Sequence, residues 1–561
     1  MTVDVLNPGD EPLHGLTERT MPGGWSIRWN GQFAKRCRES GAWLDTTLAT
    51  LTEALAAREP DRVLIIEQER EYTASMLFDE ARRLASALIR RGLKPGDVIS
   101  YQIPNWYEGC VINIAAALAG LAVNPLVPIY RDAEVRFMLQ DVGSRMVFVP
   151  ERFRNHDYAD MYRRINASLA APVAIIVLRG DGGGDTAYAD LVSDGSADDI
   201  LPEVDPDSVY VVMHTSGTTG RPKCVVHSHN SFMVQGKIHA IELRGSEHDI
   251  NIVATPISHI AGIIVANLTP VVGGATIILM DTWVPEDAVR LVEQYRANSC
   301  GGATPFLKGM LAAAQAAGTH LPSLTRAGTG GAAVPPELII EAQDWFPNVV
   351  SFRIYGCTEV PTITSGTKTR DEVSYGAYTD GEIKHTEIKI VDAVTGAPIP
   401  QDQDGEILAR SAAMMLGYLR SEDNVGAFDE EGFFRTGDLG RIVDGRYLVI
   451  TGRKKDLIIR NGENLSPKEI EDAIFTHPGI DNVAVVGMPS EKTGEAVCAF
   501  VIAKSGSTID LREVSRHLIS VGLAKQKIPE RLEIVEELPI SPQGKILKTV
   551  LRDRAKAFVA M

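Results

Sequence analysis

The sequence predicts an α/β protein: a large N-terminal domain of layered α/β sheets with a β-rich subdomain at about 385–451, then a small α+β C-terminal domain. Three observations predict it. From residue 60 on, short apolar runs alternate with amphipathic ones. Between 385 and 451, strand-like runs are separated by Gly, Asp and Pro. After Gly452 a new helix-and-strand pattern begins.

Val63–Glu67 reads as a strand, and residues 73–92 carry Met76, Leu77, Ala81, Leu84, Ala87 and Leu88 at helical spacing. Val98–Ile103 is again strand-like, and an apolar helix follows over 108–121. Val147–Pro150, Val173–Leu178, Val209–His214 and Thr276–Met280 repeat the strand pattern, the last before a helix at 285–297. Strands alternating with helices predict a largely parallel sheet. The Gly/Asp-rich stretch 180–186 reads as a surface turn, and residues 1–30 carry the least pattern. The β-rich region rests on Ile388–Val391, Glu406–Ala409 and Tyr447–Ile450. Ser466-Pro467-Lys468-Glu469 predicts a capping box with Pro at the first helical position, opening a helix to about 477. Strands at 483–487 and 496–502, a helix at 510–521 and a strand at 532–537 follow. A boundary near 451–456 divides the chain into domains 1–451 and 452–561.

The 561 residues suffice for about three to four domains' worth of chain. Acidic residues number 73 against 56 basic ones, a net charge of −17, which argues against nucleic acid or a membrane surface as a general partner. The six cysteines form no CxxC pair or metal-ligand spacing, so a reducing cytoplasm is the expected compartment. Residues 1–30 lack the apolar core of a secretory signal. Two uncharged stretches, 109–130 and 250–280, are interrupted by Asn113, Asn124, Pro125 and Pro128, and by Pro256, His259, Pro270 and Gly273-Gly274. They read as buried α/β core rather than membrane spans.

Chemistry first shows at residues 214–226, HTSGTTGRPKCVV. A strand runs into a turn rich in hydroxyls and glycine and then reaches Lys223. Small residues let backbone N–H groups approach phosphate oxygens, hydroxyls add donors, and the lysine adds charge. The spacing is not GxxxxGK[ST], which disfavours a P-loop NTPase; the plain alternative is a flexible Ser/Gly loop.

TSGTTGRPK resembles the signature of the AMP-forming adenylating enzymes, the superfamily of acyl-CoA synthetases, peptide-synthetase adenylation domains and firefly luciferase. The resemblance implies that Thr215, Ser216, Gly217, Thr218, Thr219, Gly220 and Lys223 cradle the phosphates of ATP, with Thr218 near the metal. Cys224 departs from the pattern, which usually has Gly there; it reads as a packing change. YGCTEV at 355–360 resembles the YGxTE element, which implies Tyr355 and Gly356 beside adenine, Thr358 on the α-phosphate and Glu359 on magnesium. Gly330-Gly331-Ala332 resembles the adenine-side wall, and TGDLG at 436–440 the ribose clamp, with Asp438 accepting from both hydroxyls. Residues 452–467 resemble the hinge and first segment of a mobile C-terminal domain. The resemblance implies that Arg453 reaches the nucleotide, that Lys455 is the hinge, and that Arg460 to Glu463, with Gly462, line a pantetheine tunnel. PISPQGK at 539–545 resembles the catalytic-lysine motif, ending on Lys545. Singly, most of these would be ordinary turns; their shared order across 214–548 identifies the family.

The implied enzyme joins a carboxylic acid to coenzyme A using ATP and Mg2+, through an acyl-adenylate. An Asp near the start of the pocket marks amino-acid-activating members, whereas PISHIAG (256–262) has no carboxylate. His259 matches an acyl-CoA synthetase position beside the acyl carboxylate. The acyl pocket is expected from His259 to Ile263, Thr304 to Phe306, Ala327 to Gly330 and Gly356-Cys357. GGATPFLKGM (301–310) and residues 522–539 look most like the cyclohexanecarboxylate and medium-chain ligases. Aryl or steroid-side-chain acids, carrier-protein loading and a non-catalytic sensor are the alternatives, and a homodimer is left open. Against the acidic total, 452–460 counts Arg453, Lys454, Lys455 and Arg460 minus Asp456, a local +3.

Overall fold

The computed structural model describes residues 16–215, 221–242, 248–332, 334–540 and 546–558. By contact density it divides into two compact units, one of residues 1–387 with 409–434, the other of 388–408 with 435–561.

Two large sheets build the first unit. The eight-stranded sheet runs through Thr186–Ala187, Ala174–Leu178, Met146–Pro150, Val98–Tyr101, Ala122–Pro125, Val209–Thr215, Lys223–Ser228 and Gly417–Tyr418. It is parallel until the hairpin Val209–Thr215/Lys223–Ser228, which is antiparallel, as is the edge strand beyond it. The seven-stranded sheet runs through Val350–Ile354, Arg326–Gly330, Ser299–Cys300, Ile250–Val253, Thr276–Leu279, Val63–Glu67 and Arg70–Thr73. Only its last pair is antiparallel. The largest apolar cluster joins helices Ala74–Arg90 and Tyr107–Ala119 to residues of both sheets, such as Tyr101 and Ile277. Helices shared between sheets bury apolar surface on two sides, which is why Tyr107–Ala119 is apolar nearly all round.

Both uncharged stretches resolve into this core. The first is helix Tyr107–Ala119, closed by Gly120 at φ +67°, and then strand Ala122–Pro125. The second is strand Ile250–Val253, helix Ile260–Leu268, one wide turn at Thr269–Gly273 and strand Thr276–Leu279. Among the described residues no helix is long and apolar enough to cross a membrane.

Of the segment with least pattern in the sequence, the described residues begin at 16. Leu16–Met21 and Trp25–Asn30 form a hairpin, and helix Gly31–Glu39 follows. Trp25 and Ile27 point inward, and the indole Nε1 donates to Gly96 O at 2.8 Å. At that contact two backbones nearly touch: a Cβ on Gly96 would lie 2.2 Å from Pro22 O. Gly96 has φ +88°, so glycine is required there twice over.

The second unit holds a four-stranded sheet, Glu387–Val391, Gly405–Arg410, Phe434–Val443 and Tyr447–Arg453, almost wholly within its bounds. Strand Tyr447–Arg453 runs across 451/452, with both its ends in the second unit. A five-stranded sheet follows: Glu463–Leu465, Ile458–Arg460, Gly494–Ala503 and Ile480–Ser490, with Arg531–Ile534 parallel on Gly494–Ala503. Strand alternation serves both faces of Ile480–Ser490. Val483 and Val485 pack with Ile470, Ile474, Val514 and Leu518, while Ala484 and Val486 pack with Leu551 and Ala555.

One local expectation fails here. Pro467 does open helix Pro467–Phe475, but Ser466 makes no side-chain cap. Its hydroxyl donates instead to Thr451 O, and Lys527 holds the Glu469 carboxylate at 2.6 Å. Partners elsewhere in the fold took both groups of the capping box.

Candidate active site

Four neighbouring parallel strands end at the segments singled out in the sequence. Ile250–Val253 leads to Pro256–His259, Ser299–Cys300 to Gly301–Thr304, Arg326–Gly330 to Gly331–Ala332, and Val350–Ile354 to Tyr355–Glu359. Carboxyl ends of adjacent parallel strands are where open α/β sheets bind ligands. Glycine lets these segments close on one another. Gly302 N donates to Gly328 O, and Gly330 N to Gly302 O, each at 3.0 Å. A Cβ on Gly330 would stand 2.5 Å from Ile354 O, and one on Gly356 2.0 Å from Pro361 O. The loop after Val350–Ile354 is tied at its base, because Tyr355 N donates to Thr364 Oγ1 at 2.9 Å and Ile363 N to Tyr355 O at 3.0 Å.

His259 caps helix Ile260–Leu268: its Nδ1 accepts from Ala261 N at 3.3 Å. Beside it in the expected acyl pocket, Thr304 begins helix Thr304–Ala317, and the Phe306 ring lies 4.9 Å from that of Trp283.

The hairpin of the other sheet brings Thr215 and Lys223 together as register partners, with Thr215 Oγ1 donating to Lys223 O at 3.4 Å. Ser216, Gly217, Thr218, Thr219 and Gly220, which lie between them in the sequence, fall outside the described residues. Cys224 is buried among Val212, Val226, Leu416 and Trp25, and burial pushes its thiol up. That fits the packing change read from the sequence.

Hairpin and loop meet at Thr358 and Glu359. His227 Nε2 donates to Thr358 O at 2.8 Å, and Met415 N to Glu359 O at 2.8 Å. His227 is buried and lowered to about 4 by desolvation, so it is neutral and its Nε2 carries the proton. Tyr418 donates its hydroxyl to Glu359 Oε1 at 2.8 Å, and Lys223 Nζ stands 4.7 Å from the Tyr418 ring centre. Burial and the Glu359 charge push the Tyr418 phenol up, which keeps it a neutral donor. Among the described residues no three His, Cys, Asp or Glu side chains form a metal cluster. With Oε1 accepting from Tyr418, Glu359 could offer its other carboxylate oxygen to a cation whose remaining ligands would be phosphate and water. That set suits Mg2+.

In the second unit Asp438 and Arg453 are register partners on facing strands, with Arg453 Nε 2.8 Å from Asp438 Oδ1. Thr436 Oγ1 accepts from Asp438 N at 3.1 Å, and Gly437 between them turns at φ +71°. The basic run has its own carboxylates. Lys454 pairs with Glu406 at 3.0 Å and Arg460 with Glu530 at 2.6 Å, while Asp456 pairs with Arg552. The local excess counted along the chain is thus largely met by carboxylates elsewhere in the second unit. Burial, then the Arg453 charge, pushes the Lys455 ammonium down. Asn461 (φ +52°) and Gly462 (φ +81°) make a two-residue turn joining Ile458–Arg460 to Glu463–Leu465. Lys545 lies outside the described residues.

Sequence reasoning missed Tyr418 and His227. Nothing local marks a tyrosine after glycine on a two-residue strand. His227, inside the apolar run CVVHS, carried the sharper signal, because a buried polar group must find a partner.

The model of the family described as AMP-binding enzyme matches residues 52–419, and that of the AMP-binding enzyme C-terminal domain matches 469–545. The medium-chain fatty-acid–CoA ligase of Escherichia coli (strain K12) is 31% identical over 533 residues, 94% of each chain. The salicylyl-CoA synthase/salicylate adenylyltransferase of a Streptomyces species is 30% identical over 547 residues, 95% of this chain and 98% of its own. The crystal structure of ATP-bound MatB from Rhodopseudomonas palustris aligns with a TM-score of 0.81 at 27% identity, over 91% of this chain and 100% of that one. The chain belongs to the AMP-binding enzyme family and, within that adenylate-forming superfamily, is an AMP-forming acyl-CoA synthetase.

Proposed function

We propose that this acyl-CoA ligase takes a medium-chain or alicyclic acid such as cyclohexanecarboxylate. The observation that carries the reading is the row of four strand ends bearing small and apolar residues, Gly301–Gly302, Ala327–Gly330 and Gly356 among them, with Phe306 on the helix that follows. An apolar slot with no acidic side chain in 256–262 suits an uncharged acyl chain rather than an α-amino acid. The Escherichia coli relative, by its name, acts on medium-chain fatty acids.

In this reading the carboxylate attacks the α-phosphorus of ATP in line, pyrophosphate leaves, and the thiol of CoA then displaces AMP from the mixed anhydride. Thr215 to Gly220 and Lys223 cradle the phosphates of ATP, Thr358 bonds the α-phosphate, and His259 faces the acyl carboxylate. Tyr355, Gly356 and Gly330 to Ala332 enclose adenine, while Asp438 takes the ribose hydroxyls and Arg453 reaches the nucleotide. Glu359, with Thr218 nearby, would hold Mg2+, which would offset charge on the phosphates. Lys545 bridges carboxylate and α-phosphate in the first step and orients the attack. The domain 452–561 then turns about Lys455, withdrawing Lys545 and presenting Arg460 to Glu463, Gly462 included, to the pantetheine arm. Six free thiols, five of them buried, fit a reducing cytoplasm.

The test is a panel of acids, C2 to C16 straight-chain, alicyclic and aryl, assayed with and without CoA. The reading expects CoA-dependent AMP release to peak at medium-chain or alicyclic acids. Peak activity on salicylate-like acids would move the substrate to the aryl class. Pyrophosphate release without any CoA thioester would make the enzyme a donor to a carrier protein.

A further inference from the structure

Tyr418 touches two groups of opposite charge at once. It lies on the edge strand Gly417–Tyr418 and is 8% exposed. Its hydroxyl meets Glu359 Oε1 at 2.8 Å, and its ring face meets Lys223 Nζ at 4.7 Å. Its own backbone is pinned on both sides by Asn424, which accepts from Tyr418 N at 2.8 Å and donates to Tyr418 O at 2.9 Å. Phe434 backs the ring, 6.5 Å between centres.

The neutrality of this side chain matters. A lysine or arginine in its place would orient Glu359 but also cancel the charge that a cation needs. A carboxylate beside Lys223 would likewise cancel the charge that phosphate needs. A phenol donates to one group through its hydroxyl and attracts the other through its ring, leaving both charges intact. It also gives each charge a partner other than the opposite charge, so that the two do not quench each other in an ion pair.

We infer that Tyr418 is a positioning residue that holds the metal carboxylate Glu359 and the phosphate lysine Lys223 together, presenting both to the magnesium–triphosphate. The inference rests on the roles proposed above for those two residues.

The test reads binding rather than turnover. Mn2+ binding in the presence of ATP is followed by electron paramagnetic resonance, without acid or CoA, and metal-free ATP binding by calorimetry. The proteins are wild type, Tyr418→Phe, Tyr418→Leu, Glu359→Gln and the double variant Tyr418→Phe/Glu359→Gln. Tyr418→Phe should weaken Mn2+ binding about tenfold through loss of a hydrogen bond to a charged group. It should leave metal-free ATP binding within about twofold, because the ring still faces Lys223. Tyr418→Leu should weaken both. The double variant should bind Mn2+ no more weakly than Glu359→Gln alone, whereas a merely structural defect would add its full loss. Wild-type Mn2+ affinity in Tyr418→Phe, or full additivity in the double variant, overturns the inference. Wild-type Mn2+ affinity in Glu359→Gln overturns instead the metal role on which it stands.

Discussion

Asp438 and Arg453 face each other across one antiparallel strand pair, with Nε and Oδ1 2.8 Å apart. The carboxylate is 7% exposed on its side chain, the guanidinium 46%, so the buried partner is the fixed one. In the proposed reading the pair would present an oriented carboxylate to the ribose hydroxyls. Asp438→Asn keeps the shape and removes the charge, and hydrogen bonds to charged groups contribute about 1.5–3 kcal/mol. Calorimetry should show ATP binding weakened by roughly tenfold to a hundredfold. An affinity equal to wild type would remove Asp438 from the nucleotide site.

Lys545→Ala separates the two half-reactions. Acid-dependent ATP–pyrophosphate exchange should be nearly abolished, while thioester formation from supplied acyl-AMP and CoA survives. Exchange near the wild-type rate would show that another residue bridges carboxylate and α-phosphate.

His227 makes stability depend on pH. Burial lowers it to about 4 in the folded protein, against 6.5 for an ordinary histidine. Between those values the unfolded chain binds a proton that the folded one does not. Stability contributed by this group therefore rises with pH through the window and is lost on acidification, by about 1.4 kcal/mol per pH unit. His227→Gln cannot take up that proton. Urea unfolding at pH 7, 5.5 and 4.5 should show the gap between wild type and variant narrowing as pH falls. A gap constant with pH would mean that His227 does not titrate on unfolding.

Trp25 anchors the N-terminal hairpin beside strands Lys223–Ser228 and Gly417–Tyr418, since it shares a buried cluster with Val226, Leu416 and Cys224. Trp25→Ala should destabilise the protein by about 3–5 kcal/mol, as large aromatic truncations do. Trp25→Phe, which loses the 2.8 Å bond to Gly96 O and part of the indole but keeps an aromatic ring in the cluster, should cost less, about 1–2 kcal/mol. Thermal unfolding of the two variants checks both figures, and equal losses would show that the hydrogen bond, not the packing, anchors the hairpin.

Elements with a clean period were legible in the sequence. Val63–Glu67 has the bounds that its apolar run predicts, and helix Ala74–Arg90 lies within 73–92. Hairpin Leu16–Met21/Trp25–Asn30 was not, because its inward residues are few and it is secured by a backbone contact at Gly96, far along the chain. The Asn461-Gly462 dipeptide was a readable hairpin signal, obscured by the charged residues around it. The residues proposed for the site divide in the same way. Thr358, Glu359, Asp438 and Arg453 sit in short motifs whose residue types announce their chemistry. Tyr418 acts through Glu359, 59 positions away, and only folding brings them together.

The path of the chain between its compact units, after 387, 408 and 434, bears on how this enzyme can be taken apart. Because it passes between them three times, no single nick releases either unit. A fragment begun at 452 would sever strand Tyr447–Arg453 and strip the five-stranded sheet of its four-stranded neighbour, whereas one begun at 388 would carry 409–434 as an orphaned insert. Recombination that grafts a relative's tail onto this chain must therefore exchange two separate stretches, 388–408 and everything from 435 onward, to keep each sheet whole.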